Sequence, residues 1–470
     1  MFLIFDTETT GLPRDYNAPV SDSDNWPRMV QLAWQLHDDT GKLITAKNYI
    51  IKPVGFDIPI AVANVHGITT ERALADGEDL QFVLEEFQKD VQQTTYNVGH
   101  NIEFDVNIVG AEFYRLSIAN NLAAKKLLDT MKSSVDFCAI PGGRGGGYKY
   151  PRLTDLHIKL FNKDFGDAHD AAYDVDATAR CFFELLKLRV IHPKEITNQE
   201  IVYEAPKLAE ANFAKKTTDT SAEDVLKTTT PISSELEALD FVHLHNHSEF
   251  SILQSTTKVA GLVKKAKELG MSAVALTDHG NMMATFHFVR EAHKEGIKPI
   301  VGCEFNLCVN RKNKDLKDNG FQTVLIAKNE KGYHNLVKLA SYANTEGFYY
   351  VPRIDREILL EYKDNLIALT GGIRGEVPNK ILFEGTKQAE EAFVWWKTNF
   401  GDDFYVEINR HGVQEEEAVN KVLLEFAKKY DVKQIATNNT YYLDKIDAVS
   451  QDVLLCIGNG NLVDKPKKYI

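Results

Sequence analysis

The chain has 470 residues, of which 44% are hydrophobic and 26% charged, and a formal net charge of −13 at pH 7. The length predicts two or three domains, and the composition is that of a soluble globular protein. No apolar run reaches the roughly 18 residues of a membrane-spanning helix, and the acidic balance counts against broad non-specific DNA wrapping, which rests on basic surface.

The first residues, Met1-Phe2-Leu3-Ile4-Phe5-Asp6, have no basic region or cleavage site and are expected to begin the fold rather than act as a signal peptide. The apolar run over 2–6 reads as a buried strand. Further strands are predicted over 29–37 and 44–51, then a helix over 80–93, a strand over 95–98 and a helix over 102–120. A short amphipathic helix over 154–161 and a helix from Val175 to Leu188, started by Asp174, complete a first domain over 1–190. The stretch from Glu195 to Glu237 is poor in large apolar residues and contains Thr228-Thr229-Thr230-Pro231. It cannot bury much core, and 191–239 is expected to be a mobile linker. From about Asp240, strand-like runs at 241–244, 273–276, 299–302, 323–327, 365–369 and 404–408 alternate with helical patterns at 259–269, 286–294, 333–342 and 418–430. This alternation predicts parallel strands with crossover helices, curled into a barrel over 240–470. The five cysteines, Cys138, Cys181, Cys303, Cys308 and Cys456, form no Cys-x-x-Cys pair, so a reducing, cytoplasmic setting is expected.

Three acidic segments carry the chemistry of the first domain. Asp6 and Glu8 lie in Phe5-Asp6-Thr7-Glu8-Thr9-Thr10-Gly11-Leu12, and Asp105 in Asn101-Ile102-Glu103-Phe104-Asp105. His169 and Asp174 lie in His169-Asp170-Ala171-Ala172-Tyr173-Asp174. Asp6 and Glu8 are two apart on a strand, so both carboxylates face one side. Carboxylates are the ligands that hard divalent cations such as Mg²⁺ require, and a pair of ions about 4 Å apart activates water and stabilises the leaving oxygen in phosphodiester hydrolysis.

In this order, the segments resemble the three motifs of the DEDDh 3′→5′ exonucleases. The resemblance implies an RNase H-like α/β fold and a site with two Mg²⁺ (or Mn²⁺) ions. Asp6 would bridge the metals, Glu8 and Asp174 would complete their shells, and Asp105 would assist, partly through water. His169 would be the general base, as a side chain that titrates near working pH. Thr7, Thr9, Gly11, Leu12 and Asn101 would contact the DNA 3′ terminus, with Leu12 as a wedge against the terminal base. His66, in Val65-His66-Gly67-Ile68-Thr69, fits either a nucleotide contact or a loop-packing role. The stretch from Pro141 to Tyr150 has glycines, two cations and two tyrosines and fits either a single-strand track or a surface loop.

In the second domain, His243-Leu244-His245-Asn246-His247-Ser248, Thr277-Asp278-His279-Gly280-Asn281 and Gly302-Cys303-Glu304-Phe305 each adjoin a strand-like run. Strand ends of a barrel converge on one mouth, where sites are built. These segments, with Gly347-Phe348-Tyr349-Tyr350-Val351-Pro352-Arg353-Ile354-Asp355 and Asp452-Val453-Leu454-Leu455-Cys456-Ile457, resemble the PHP domain of bacterial DNA polymerase III alpha subunits. The resemblance implies a distorted (β/α)7 barrel with a multi-metal centre. Of its ligands only His245, His247, His279 and Glu304 remain, a residual site for at most one Zn²⁺. Gln254, Gln322, Gly372, Asn439 and Tyr441, poor ligands, stand where others are expected.

Together the two resemblances imply the amino-terminal part of an alpha subunit of the Bacteroidetes type. In it a fused proofreading exonuclease would precede a degenerate, mainly scaffolding PHP domain. Polymerase parts and contacts to holoenzyme components such as the sliding clamp would follow beyond Ile470, and no membrane partner is expected. Two alternatives stand beside this reading: a PHP metallophosphoesterase, and a non-catalytic docking platform.

Overall fold

The computed structural model describes residues 1–142, 146–165, 170–193, 200–204 and 241–463. His169, most of the expected linker and the centre of the glycine-rich stretch lie outside the described residues. The chain divides into two compact units, Met1–Thr218 and Asp219–Ile470.

The first unit is built on a five-stranded sheet in the order β3-β2-β1-β4-β5. The strands are β1 (Phe2–Thr9), β2 (Met29–His37), β3 (Leu43–Ile50), β4 (Tyr96–Gly99) and β5 (Lys126–Asp129). β1 pairs antiparallel with β2 and parallel with β4. Side-chain alternation along β1 sorts the core into two layers. Leu3 and Phe5 pack with Val106 and Phe87 on one face, and Phe2 and Ile4 pack with Val175 and Phe182 on the other. Two helices cover these faces, Ile102–Arg115 and Ala171–Lys187. The first ends at Arg115 rather than near residue 120; Leu116 adopts the cap, and Ser117 takes a positive φ that an L-residue helix does not continue. The second starts four residues before Val175, because the Asp170 side chain accepts the N–H of Ala172 and caps it there. β5 and the helices Ile60–His66 and Thr70–Asp76 were not expected from the sequence; each is short, with weak periodicity.

The second unit curls a seven-stranded sheet. Its strands are β6 (Ala273–Leu276), β7 (Lys298–Cys308), β8 (Phe321–Ala327), β9 (Arg353–Asp355), β10 (Leu366–Leu369), β11 (Phe404–Ile408) and β12 (Lys433–Ala436). The order is β12-β11-β10-β8-β7-β6, with β9 paired to β7. The expectation of parallel strands fails at β8, which runs antiparallel to both β7 and β10. No crossover helix separates β7 from β8, so the chain returns directly alongside. The predicted strand over 241–244 is also absent. Residues 243–247 bridge the sheet's two ends instead. Ala275 N–H donates to His243 O, and the N–H groups of His247 and Thr440 exchange bonds with the carbonyls of Thr440 and His245.

Candidate metal centres

Asp6 and Glu8 end the face of β1 that packs on helix Ala171–Lys187, and Asp174 lies in that helix's first turn. One ligand oxygen from each of the three lies within 4.8 Å of the others. The pairing of β1 with β2 shifts between Glu8 and Thr9, so Glu8 faces Gln31 while Thr9 faces Met29. Val30 is thus the extra residue of a bulge beside the acids, a place where bulges re-aim side chains.

Asp105 approaches from the other layer. It is buried in the first turn of Ile102–Arg115, and its Oδ1 accepts the Thr7 amide at 3.0 Å and the Thr7 hydroxyl at 2.7 Å. Asp129 fixes that helix start by accepting the Asn101 amide at 3.1 Å. Asn101 has φ 75°, a left-handed conformation that asparagine tolerates. Thr9 Oγ1 donates to the Gly11 carbonyl at 2.7 Å, and Leu12 beyond it is 72% exposed. His66 is buried at the end of its helix, its Nδ1 accepting the Ile68 N–H. Tyr148 and Tyr150 are exposed.

Among the described residues, the charges that act most on Asp6 and Glu8 are acids. Burial first, then Asp105, Asp174, Glu8 and Asp170, push the Asp6 carboxyl well above its ordinary range. Burial followed by Asp174, Asp170 and Asp105 pushes Glu8 up to about 9. Burial raises Asp105 to about 7, against the hydrogen bonds from Thr7. Acids crowded in this way resist ionising together, and a divalent cation relieves the repulsion, so the donor set fits a hard metal ion. Asp170 belongs to the same field. It lies within the third segment, but as an ordinary helix-cap residue it was given no role there.

The second unit holds a different group. His245, His247 and Glu304 offer atoms within 4.8 Å of one another and are fully buried. His245 Nε2 meets Glu304 Oε2 at 2.7 Å, and its Nδ1 meets Glu407 Oε1 at 2.7 Å. His279, expected in the set, falls outside this close group, although its Nδ1 lies 3.4 Å from Glu304 Oε1. Two of the substituted positions pack on His247. Asn439 Oδ1 lies 3.1 Å from His247 Nε2, and the Tyr441 ring stacks on the imidazole at 4.3 Å. Glu407 was missed because a glutamate in a short strand reads as a solvated face. Here charges compensate. Burial pulls His245 down, but Glu407 and Glu304 outweigh it and raise it to about 10. Burial pushes Glu304 up, yet hydrogen bonds from His245 and His247 hold it well below its ordinary range. No helix among the described residues is long and apolar enough to cross a membrane.

The sequence matches two domain families. Residues 3–182 match the family described as Exonuclease, and residues 243–411 match the PHP domain. The chain therefore joins an exonuclease domain to a PHP domain. It is also homologous over about half its length to DNA polymerase III alpha subunits. It is 41% identical to that of Borreliella burgdorferi over 224 residues, 47% of this chain and 20% of the relative. It is 44% identical to that of Aquifex aeolicus over 227 residues, 46% of this chain and 20% of the relative. The chain thus spans about a fifth of the length of these relatives. Among solved structures, Escherichia coli exonuclease I in complex with a dA16 oligonucleotide is similar with a TM-score of 0.32 and 22% identity, covering 40% of this chain and 41% of that one.

Proposed function

We propose that the first unit is a 3′→5′ DNA exonuclease that uses two divalent ions to edit primer ends within a polymerase III alpha-type protein. The observation that carries this reading is the convergence of Asp6, Glu8 and Asp174 from a strand and a helix, with no compensating cation among the charges that act most on Asp6 and Glu8. Asp6, Glu8 and Asp174 would hold the ions, Mg²⁺ or Mn²⁺, and Asp105 would support them. Bound ions would polarise the scissile phosphate and lower the pKa of water. His169, by its place in the third motif, takes the proton from the attacking water. Thr7, Thr9, Gly11, Asn101 and His66 line the path of the 3′ terminus, and the exposed Leu12 wedges against its base.

The matched ranges support a division into an exonuclease domain over 1–190, a linker over 191–239 and a PHP domain over 240–470. In the PHP domain, His245, His247 and Glu304 offer ligands for at most a single Zn²⁺, which would have to displace the proton that His245 shares with Glu304; Glu407 would then orient His245 from behind, as carboxylates do for zinc-bound histidines. The residues at the other expected ligand positions do not support a multi-metal phosphoesterase, so this domain serves as scaffold. DNA would reach the site with the help of the cytoplasmic replication machinery, the sliding clamp included.

The reading is tested by labelling a primer at either end. With Mg²⁺, a 3′ label leaves as mononucleotide at once while a 5′ label yields a descending ladder; chelation stops both. Release that starts at the 5′ end contradicts it.

A further inference from the structure

We infer that Gln31 is a positioning residue for the metal site; the inference rests on the exonuclease reading above. Gln31 is 2% exposed and stands directly opposite Glu8 in the β1–β2 ladder, at the bulge. Directly opposed residues of an antiparallel pair project on the same face, so its side chain leaves the sheet beside the Glu8 carboxylate, toward helix Ala171–Lys187. There its amide makes a two-point clamp. The Oε1 atom accepts the Ala171 N–H at 3.3 Å, and the Nε2 atom donates to Asp170 Oδ1, also at 3.3 Å. Nε2 further donates to Asn48 Oδ1 on β3 at 2.9 Å, which fixes which end of the amide faces which partner.

The first N–H groups of a helix have no partner within it. Here Gln31 satisfies that of Ala171 and Asp170 satisfies that of Ala172, and Gln31 grips Asp170 itself. Asp174 sits one turn along. Gln31 thus links the strand pair that supplies Asp6 and Glu8 to the helix start that supplies Asp174. The apolar contacts of Phe2, Ile4, Val175 and Phe182 hold the body of the helix on the sheet. Such contacts, those of Ala171 and Ala172 in the first turn included, are non-directional and do not by themselves determine its rotation and height. Gln31 does so without touching the ions.

The amide is needed in both halves. Gln31→Leu removes the clamp while keeping an apolar side chain of similar size. Gln31→Glu places a carboxylate against Asp170 Oδ1 and Asn48 Oδ1 where a donor now stands. Loss of such supporting contacts costs about 10- to 100-fold in metal affinity.

The test is Mn²⁺ titration by calorimetry on the whole chain, without DNA, for wild type, Gln31→Leu and Gln31→Glu, followed by exonuclease rate against metal concentration. The expected result is wild-type binding that Asp6→Asn removes, and binding about 10- to 100-fold weaker in both Gln31 variants. The metal concentration for half-maximal rate rises in proportion, while the rate at saturating metal recovers to near wild type. Should Gln31→Leu fail to fold, Gln31→Met, which keeps the unbranched chain, takes its place. A wild type without Asp6-dependent binding overturns the exonuclease-site reading. Wild-type binding matched by unchanged affinity in the Gln31 variants overturns the role of Gln31 alone.

Discussion

The two units each gather three potential metal ligands within 4.8 Å, yet their charges are arranged in opposite ways. Among the described residues of the first unit, the charges that act most on Asp6 and Glu8 are acids, and burial and repulsion drive both toward their neutral forms. In the second, His245 lies between Glu304 and Glu407, and both carboxyls are held below their ordinary range. Proximity of ligands is therefore the weaker guide. Raised carboxyls mark burial among like charges, whereas lowered carboxyls beside a raised imidazole mark a group that has found its counter-charge within the chain.

The sharpest way to break this contrast is at the acids. Asp6→Ala is expected to abolish 3′-end hydrolysis. The milder Asp6→Asn, by relieving repulsion, raises the unfolding temperature of chelator-treated protein by roughly 2–4 °C, the shift of about 1 kcal/mol in a domain of this size. His169→Ala should slow hydrolysis by about 10²- to 10⁴-fold with metal binding intact, as loss of a general base does; single-turnover rates and calorimetry separate the two effects.

The same kind of change in the second unit has the opposite sign. His245→Ala leaves two buried carboxylates without their partner and destabilises that unit by about 3–5 kcal/mol, read by denaturant unfolding. An unchanged midpoint would remove the claim of internal compensation.

A pH comparison refines the distinction. Glu8 ionises near 4.5 in the unfolded chain but near 9 in the fold, so the metal-free first unit loses stability as pH rises between those values. His245 is raised from 6.5 to about 10, so its stabilisation is complete below 6.5 and fades as pH rises through that window. Mg²⁺ binds the ionised acids. It should raise the first unit's unfolding temperature more at pH 8 than at pH 6 and leave the second unit's unchanged. Smallest of all, Thr7→Val removes one of the two hydrogen bonds that hold Asp105 down. It should cost about 0.5–1.5 kcal/mol and raise the Mg²⁺ needed at neutral pH.

The sequence made parts of this legible because they are local. The parity of Asp6 and Glu8 follows from strand geometry, and Asp6, Glu8, Asp105 and Asp174 could be named from their motifs. Gln31, Asp170 and Glu407 could not. Their roles depend on which strand lies opposite which, on a bulge that resets register, and on a helix cap that meets a distant strand. The reversal of β8 escaped for a related reason. Its apolar run has no sign of direction, and only the missing crossover helix turns it round.

The central claim is that the first unit hydrolyses DNA from the 3′ end with the acid group and that the second unit's histidine group takes no part. A 5′-labelled primer with a mismatched 3′ terminus, incubated with Mg²⁺ and the whole chain as wild type, Asp6→Asn or His245→Gln, tests it most directly. The account predicts stepwise shortening by wild type and by folded His245→Gln, and none by Asp6→Asn. Shortening that survives Asp6→Asn and disappears in folded His245→Gln would contradict it.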